Sequence, residues 1–171
     1  GNQFSESTIL EFGKTALNSM FSSNMNVKQS SLQFLHDIVQ QSQKKVHMEL
    51  SKLGCIPKLL DFLRINDEDE SLVVTGLTII KSLVSSDHRI CQLFHIHAGS
   101  NLLLSLLRNN PSEDLKADIA STLNAVTNGI RTTSNPDMSS REIHGTGDIW
   151  EHIMNRWQGE DKVVTILTQF L

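Results

Sequence analysis

Apolar residues recur along this chain at the spacing of an amphipathic helix, and short polar breaks separate the runs. The run at 72–84 is apolar or small on nearly all sides, which is typical of a helix that is covered on several faces. The pattern therefore predicts an all-α protein. The predicted helical segments are 9–21, 27–39, 46–53, 59–63, 72–84, 90–96, 102–107, 115–126, 149–157 and 163–170.

One unit of this pattern occurs twice. The segment LGCIPKLLDFLR at 53–64 is echoed by AGSNLLLSLLR at 98–108, and the arginines that end these segments, Arg64 and Arg108, are 44 residues apart. A period of this length is typical of stacked helical repeats, in which each unit buries its apolar face against its neighbours. The sequence therefore predicts a short rod of about three to four repeats.

Glycine, proline and aspartate mark the predicted helix boundaries. Gly54 suits the left-handed conformation that ends a helix, and Pro57 then falls in the first turn of the next helix, where its missing N–H costs nothing. Gly99 is predicted to end a helix in the same way. Asp87 is predicted to cap the helix that begins just after it.

The helical pattern fails after Gly129. Residues 130–147 are rich in Ser and Thr and predict a long loop or a degraded helix, which is disordered, ordered by a partner, or a site of regulated phosphorylation. The pattern then resumes with Trp150 and Trp157, which are seven residues apart and so share one helix face. Core packing is the first interpretation of this face, and an exposed secondary binding surface is the second.

The composition narrows the class of protein. Of the 171 residues, 39% are hydrophobic and 20% are charged, as in an ordinary folded protein. The net charge of −4 offers no bulk attraction to nucleic acid or to an acidic membrane, and no run of about 18 apolar residues predicts a transmembrane helix. Cys55 and Cys91 are predicted to be buried free thiols, as in a reducing compartment, so we expect a cytoplasmic or nuclear protein.

Neither a metal centre nor a catalytic centre is predicted. His95 and His97, which with His144 and His152 form the one histidine cluster, point about 200° apart on a helix and cannot share an ion. Cys91 has a histidine within one helical turn, but that helix face is predicted to be core. We therefore expect no catalytic residue, no metal and no cofactor.

The residues of the central region resemble the armadillo repeat, a unit of about 42 residues with one short helix and two longer ones. The segment KVHMELSKLGCIP at 45–57 is similar to the family's junction of first helix, Gly, Ile-Pro and second helix. The third helices would be 27–39, 72–84, 115–127 and 163 to the end of the chain. Their starts are 45, 43 and 48 residues apart, and the segment 130–147 accounts for the longest spacing. Helical hairpins of the HEAT type are the nearest alternative, and the Gly-then-Pro junction favours armadillo.

The resemblance implies a right-handed α-α superhelix whose third helices line a concave groove for extended peptides or partner helices. The best-known peptide-binding members grip a peptide backbone with an Asn ladder and nearby Trp residues, and this chain has neither. Capture of basic peptides in that manner is therefore not expected. The candidate groove residues of this chain are Gln33, Asp37, Thr78, Lys81, Ser82, Ser121 and Ala125.

We expect 1–171 to be a single armadillo-like domain, and we expect the parent protein to be longer because the chain stops at Leu171 inside an apolar pattern. The first functional hypothesis is a non-enzymatic interaction module that binds a partner peptide or helix in the groove. The alternative is a structural scaffold segment, or a homo-oligomer that associates through the apolar ends of the rod. A nucleic-acid binder is a third hypothesis, which the few groove lysines do not favour.

Overall fold

The structure is a computed structural model that describes residues 5–133. Eight α-helices and no strand make up this described part of the chain, so the prediction of an all-α protein is confirmed there. The helices are α1 (Glu6–Ser19), α2 (Met25–Gln41), α3 (Lys44–Lys52), α4 (Cys55–Ile65), α5 (Glu70–Ser86), α6 (His88–Ile96), α7 (Gly99–Arg108) and α8 (Glu113–Thr133). The predictions for 134–147, His144, His152, Trp150 and Trp157 lie outside the described residues.

Polar side chains at the helix starts explain where several helices begin. Asp69 accepts a hydrogen bond from the N–H of Leu72, and Asp87 accepts one from the N–H of Arg89, as predicted for Asp87. Each cap satisfies an N–H that the helix itself leaves without a partner and contributes about 1 kcal/mol. The residues that cap α1, α2, α5 and α6 in this way are Ser5, Asn24, Asp69 and Asp87.

The left-handed residues at the two repeated junctions are 44 positions apart, as the repeat demands. Gly54 adopts φ 85° between α3 and α4, as predicted. At the second junction the prediction for Gly99 is wrong, because Ala98 is the left-handed residue, with φ 60°. Gly99 is instead the first residue of α7, where a Cβ would collide with the ring of the fully buried Phe94. Position 99 therefore requires glycine because of close packing, and not because of its backbone conformation.

The structure does not break at Gly129, and the prediction of a long loop or a degraded helix is left untested over 134–147, outside the described residues. Helix α8 continues through Gly129 to Thr133, so the first four residues of 130–147 are helical. A Cβ on Gly129 would lie 2.8 Å from Sγ of Cys91, so the glycine permits close packing of α8 on α6. A glycine in a helix weakens it intrinsically, but a neighbouring helix can outweigh that weakness.

Helix α5 is the centre of the described fold. It contacts α2 on one side and α8 on the other, and it also contacts α3, α4 and α6. Eight of its residues are buried, which explains why the 72–84 run is apolar almost all round. The three helices predicted to be the third of each repeat, α2, α5 and α8, therefore follow one another as packed neighbours.

Polar ties join residues one repeat apart. Nε2 of Gln40 in α2 donates to Oγ of Ser82 in α5 at 2.6 Å. Ser112, just before α8, bonds the carboxylate of Glu70 through both its backbone N–H, at 3.2 Å, and its hydroxyl. Both sets of hydrogen bonds join residues that are 42 positions apart, so α5 is linked to α2 and to the start of α8 at the same sequence separation.

Within residues 5–133 no single helix is both long enough and apolar enough to span a membrane. Helices α6 and α7 pass that test of length and composition only when they are taken as one pair, bent by 64° at the break between them.

Candidate functional site

The candidate groove is the surface that α2, α5 and α8 form together, and its members differ in exposure. Gln33 and Asp37 on α2 are exposed, as is Lys81 on α5. Ala125 on α8 is only 9% exposed, so it offers a partner little surface. The half-buried members are Thr78, Ser82 and Ser121.

On α2 the polar side chains are bonded to one another. Nε2 of Gln33 donates to Oδ1 of Asp37 at 3.0 Å, one helical turn away. Nδ1 of His36 lies 3.3 Å from the same oxygen. The side chain of Asp37 is nevertheless 54% exposed, so its carboxylate is held in place and still faces solvent.

On α5 the predicted residues are satisfied within the protein. The hydroxyl of Thr78 donates to the backbone oxygen of Val74 at 3.0 Å, and Ser82 accepts from Gln40. Burial raises the pKa of Asp118 on α8, and the positive charge of Lys81 partly offsets that rise. The α5 side of the groove is therefore polar, with the charge of Lys81 close enough to act on Asp118.

Two clefts divide the groove. The α2–α5 cleft has a volume of about 580 Å³, and Gln33 and Asp37 line it. The α5–α8 cleft has a volume of about 480 Å³, and Lys81, Ser121 and Ala125 line it. Thr78 and Ser82 on α5 line neither of these two clefts. Five of the seven predicted residues thus face a concavity.

Asp87 lies at the edge of the α5–α8 cleft and was not predicted as part of the site. Its side chain is 1% exposed, and it accepts hydrogen bonds from Nε and Nη2 of Arg89, at 3.0 and 3.1 Å. Nζ of Lys44 on α3 lies 3.1 Å from Oδ2, the oxygen that also accepts from Nη2 of Arg89. These bonds, those from Arg89 above all, hold the pKa of Asp87 well below its usual range although burial opposes the shift. Asp87 therefore ties α3 to the junction of α5 and α6 as a permanent anion.

A third concavity, the apolar cleft, lies between α1, α2 and α3 and has a volume of about 750 Å³. The rings of Phe12 and Phe34 meet edge to face in it, with centroids 5.9 Å apart. The polar residues that line it are Glu6, Asp37, Gln41, Ser42 and Gln43. The apolar residues that line it are Ile9, Phe12, Phe34, Ile38 and Val46.

Sequence reasoning missed the apolar cleft because Phe34 falls inside the predicted helical segment 27–39 among other apolar residues. The core stripe consists of Leu32, Leu35 and Val39, whereas Phe34 is 44% exposed. Residues 34 and 35 differ by about 100° around a helix, so an extra aromatic residue beside a complete stripe could have signalled an exposed face.

The two thiols are buried and free, as predicted. Burial raises the pKa of Cys55 to about 12 and that of Cys91 to about 11, so both stay protonated at neutral pH and are poor nucleophiles. Sγ of Cys91 donates to the backbone oxygen of Val126 at 3.2 Å, which ties α6 to α8. Among residues 5–133 no three His, Cys, Asp or Glu side chains are grouped to hold a metal ion.

Comparisons with protein-family models, with curated proteins and with solved structures find no match to this chain. The armadillo interpretation therefore depends on the residues at 45–57 and on the spacing of the helices. Function has to be argued from the surface formed by α2, α5 and α8.

Proposed function

We propose that this chain is a non-enzymatic protein–protein interaction module, built as a right-handed armadillo-like superhelix. Its groove would hold a partner peptide or helix along α2, α5 and α8. The single observation that carries the proposal is the position of α5 between α2 and α8, because three packed helices then present their polar residues on one continuous surface.

The repeated features of the chain support the superhelix. The left-handed residues Gly54 and Ala98 are one unit apart, and each precedes a helix of similar length. The bonds from Gln40 to Ser82 and from Ser112 to Glu70 also join positions one unit apart. A regular step between units generates a superhelix, whose inner surface is the natural place for an extended partner.

The character of the groove suggests how it would bind. Helices α2 and α5 have 17 residues each, so each is about 25 Å long and can supply a large part of the roughly 800 Å² that one partner contributes to a standard interface. Because the groove is polar and nearly neutral, shape and hydrogen bonds would give specificity, with little long-range steering by charge.

Paired substitutions on α5 and α7 test the proposal. The double variant Thr78→Arg with Ser82→Glu changes two candidate groove residues on α5, the helix that packs against both α2 and α8. The double variant Asn101→Glu with Ser105→Arg is the matched control, since both of its positions are exposed on α7 and are also four residues apart. Circular dichroism must show first that all three proteins have the same helix content.

The readout is a pull-down from cell extract with quantitative mass spectrometry. We expect a partner that the wild-type chain and the α7 control retain and that the α5 variant loses. A partner that all three proteins retain equally would refute the groove as the binding surface. Loss of that partner only in the α7 control would move the binding surface to α7.

A second candidate is a scaffold segment that associates with further copies or repeats, and one observation favours it. Large apolar side chains are exposed at the start of the described chain, namely Phe12, Phe21, Met25 and Val27, which are 38–46% exposed. Sedimentation at several protein concentrations separates this candidate from the first. A mass that grows with concentration would favour self-association, and a constant monomer mass would exclude it.

Nucleic acid is the least supported partner, because α2, α5 and α8 carry few lysines and two of these lysines already have side-chain partners. Nζ of Lys28 bonds Oδ1 of Asn66 at 2.8 Å, and Nζ of Lys116 bonds Glu113 at 2.9 Å. An electrophoretic shift of an oligonucleotide that disappears with added salt would revive this hypothesis. For a protein with two buried thiols we propose a reducing compartment, the cytoplasm or the nucleus.

A further inference from the structure

We infer that the apolar cleft between α1, α2 and α3 holds the anchor of a partner peptide, and that this anchor is a large apolar side chain next to a Lys or Arg. The inference rests on the proposed function, because it assigns the chemistry of the partner that the groove would bind. It adds a site outside the predicted groove residues, of which only Asp37 lines this cleft.

The size and lining of the cleft fit an apolar anchor. Its volume of about 750 Å³ lies within the roughly 300–1,000 Å³ of typical ligand sites and accommodates one or two large side chains. Phe12 is 38% exposed and Phe34 is 44% exposed, and both face the same concavity. Aromatic surface that neighbours leave exposed in a concavity gains free energy when a partner covers it.

The apolar cleft is continuous with the groove. Phe34 and Asp37 line the apolar cleft, and the same two residues line the α2–α5 cleft. They are three positions apart on α2 and so share one helix face. The two clefts therefore adjoin at Phe34 and Asp37, and a peptide that lies along the groove can reach the apolar cleft by passing over these two side chains.

The charged residues that line the apolar cleft select a basic neighbour for the anchor. Glu6 is already paired, since its Oε2 lies 3.2 Å from Nζ of Lys45. Asp37 has only Gln33 and His36 as polar partners, and no Lys or Arg of the described chain lies within ion-pair distance of it. A cation on the partner would complement this exposed carboxylate, whereas an acidic partner residue would be repelled.

The test begins with a displayed library of short random peptides, selected on the full 171-residue chain. We expect the enriched peptides to carry a large apolar residue with Lys or Arg within one helical turn. The best peptide is then synthesised with a fluorophore, both as selected and with its basic residue changed to Glu. Fluorescence anisotropy measures the affinity of each form.

Three variants of the chain test the inference, and each has an expected effect on the affinity. Phe34→Gln should lower the affinity for the selected peptide about 30-fold, as loss of a hot-spot residue does. Ile96→Gln is the matched control, because Ile96 is a 73% exposed apolar residue on α6, and it should leave the affinity unchanged. Asp37→Lys should reverse the preference between the basic and the acidic peptide, by about five-fold in each direction.

The charge-reversal variant keeps the test decisive if Phe34→Gln fails to fold. An unchanged preference in Asp37→Lys overturns the assignment of the basic residue. Peptides that are lost by Thr78→Arg with Ser82→Glu, but not by Phe34→Gln, overturn the anchor site and leave the proposed groove intact. A library that yields no enriched peptide contradicts both proposals.

Two other occupants of the cleft are outcomes of the same experiments. Binding that begins only after residues 1–4 are deleted would assign the cleft to the start of the chain itself and overturn the inference. A dimer that Phe34→Gln dissociates, while no peptide competes with it, would assign the cleft to a second copy and overturn the inference equally.

Discussion

Replacing Asp87 tests whether a single buried carboxylate holds α3, α5 and α6 together. Its side chain is 1% exposed, caps α6 and accepts hydrogen bonds from Arg89, and Nζ of Lys44 lies 3.1 Å from it. The substitution Asp87→Ala removes all of these interactions. The substitution Asp87→Asn removes the charge but keeps an oxygen that can accept from the backbone N–H of Arg89 at the cap.

The expected loss of stability follows from these interactions. Loss of the cap costs about 1 kcal/mol. Loss of the remaining hydrogen bonds of the carboxylate costs about 1 kcal/mol more, which is less than the roughly 1.5–3 kcal/mol of a charged hydrogen bond because the cationic donors are exposed and regain water. We therefore expect Asp87→Ala to lower the free energy of unfolding by about 2 kcal/mol and Asp87→Asn by about half as much.

The assay is urea unfolding followed by circular dichroism, with Asp61→Ala as the matched control. Asp61 also bonds an arginine, with Oδ1 2.7 Å from Nη1 of Arg64, but its side chain is 61% exposed and caps no helix. That exposed ion pair should contribute less than about 0.5 kcal/mol. A loss in Asp87→Ala no larger than that in Asp61→Ala would refute the reasoning.

The pH dependence gives a second check on Asp87. Because its pKa in the folded protein lies below the value of about 3.9 in the unfolded chain, the folded form binds fewer protons between these two values. The stabilisation by Asp87 is therefore fully present above about pH 4 and is lost as the pH falls further. The stability difference between wild type and Asp87→Asn should shrink below about pH 4, and a constant difference would contradict the assigned pKa direction.

Three further predictions concern packing and the backbone. Gly99→Ala should lower stability by about 2 kcal/mol in thermal unfolding, since its Cβ would meet a buried aromatic ring, and an unchanged melting temperature would contradict that contact. Ala98→Gly should raise the free energy of unfolding by about 1 kcal/mol and Gly54→Ala should lower it by about 1 kcal/mol, because both residues have a left-handed backbone. A change of the same sign in both variants would contradict the assigned junctions. The two thiols should react with a disulfide reagent only after unfolding, and fast reaction in the native protein would contradict their burial.

Much of the local structure is readable from the sequence because it depends on neighbours within a few positions. The helical segments follow from apolar spacing, the cap at Asp87 from a polar side chain before such a segment, and the turn at Gly54 from the one residue without a Cβ. The buried thiols follow from their place on apolar faces. The polar character of the groove was also readable, since it depends only on which residues share a helix face.

The rest depends on contacts between residues far apart in the chain, which local patterns do not encode. Glycine often marks the end of a helix, and the sequence alone suggests this role for Gly99 and Gly129. Each of them instead lies where another helix packs closely, against Phe94 and Cys91 respectively. The apolar cleft exists only because α1 and α3 leave Phe34 uncovered.

The sequence by itself therefore determined most of the helices of the described chain, the cap at Asp87 and the left-handed turn at Gly54. The tertiary structure alone decided which glycines serve packing, which aromatic residues stay exposed and which cations surround Asp87. The physical reason is the distance along the chain over which each kind of interaction acts. Capping and amphipathic spacing act within one or two helical turns, whereas close packing and the burial of a charge depend on residues from several helices at once.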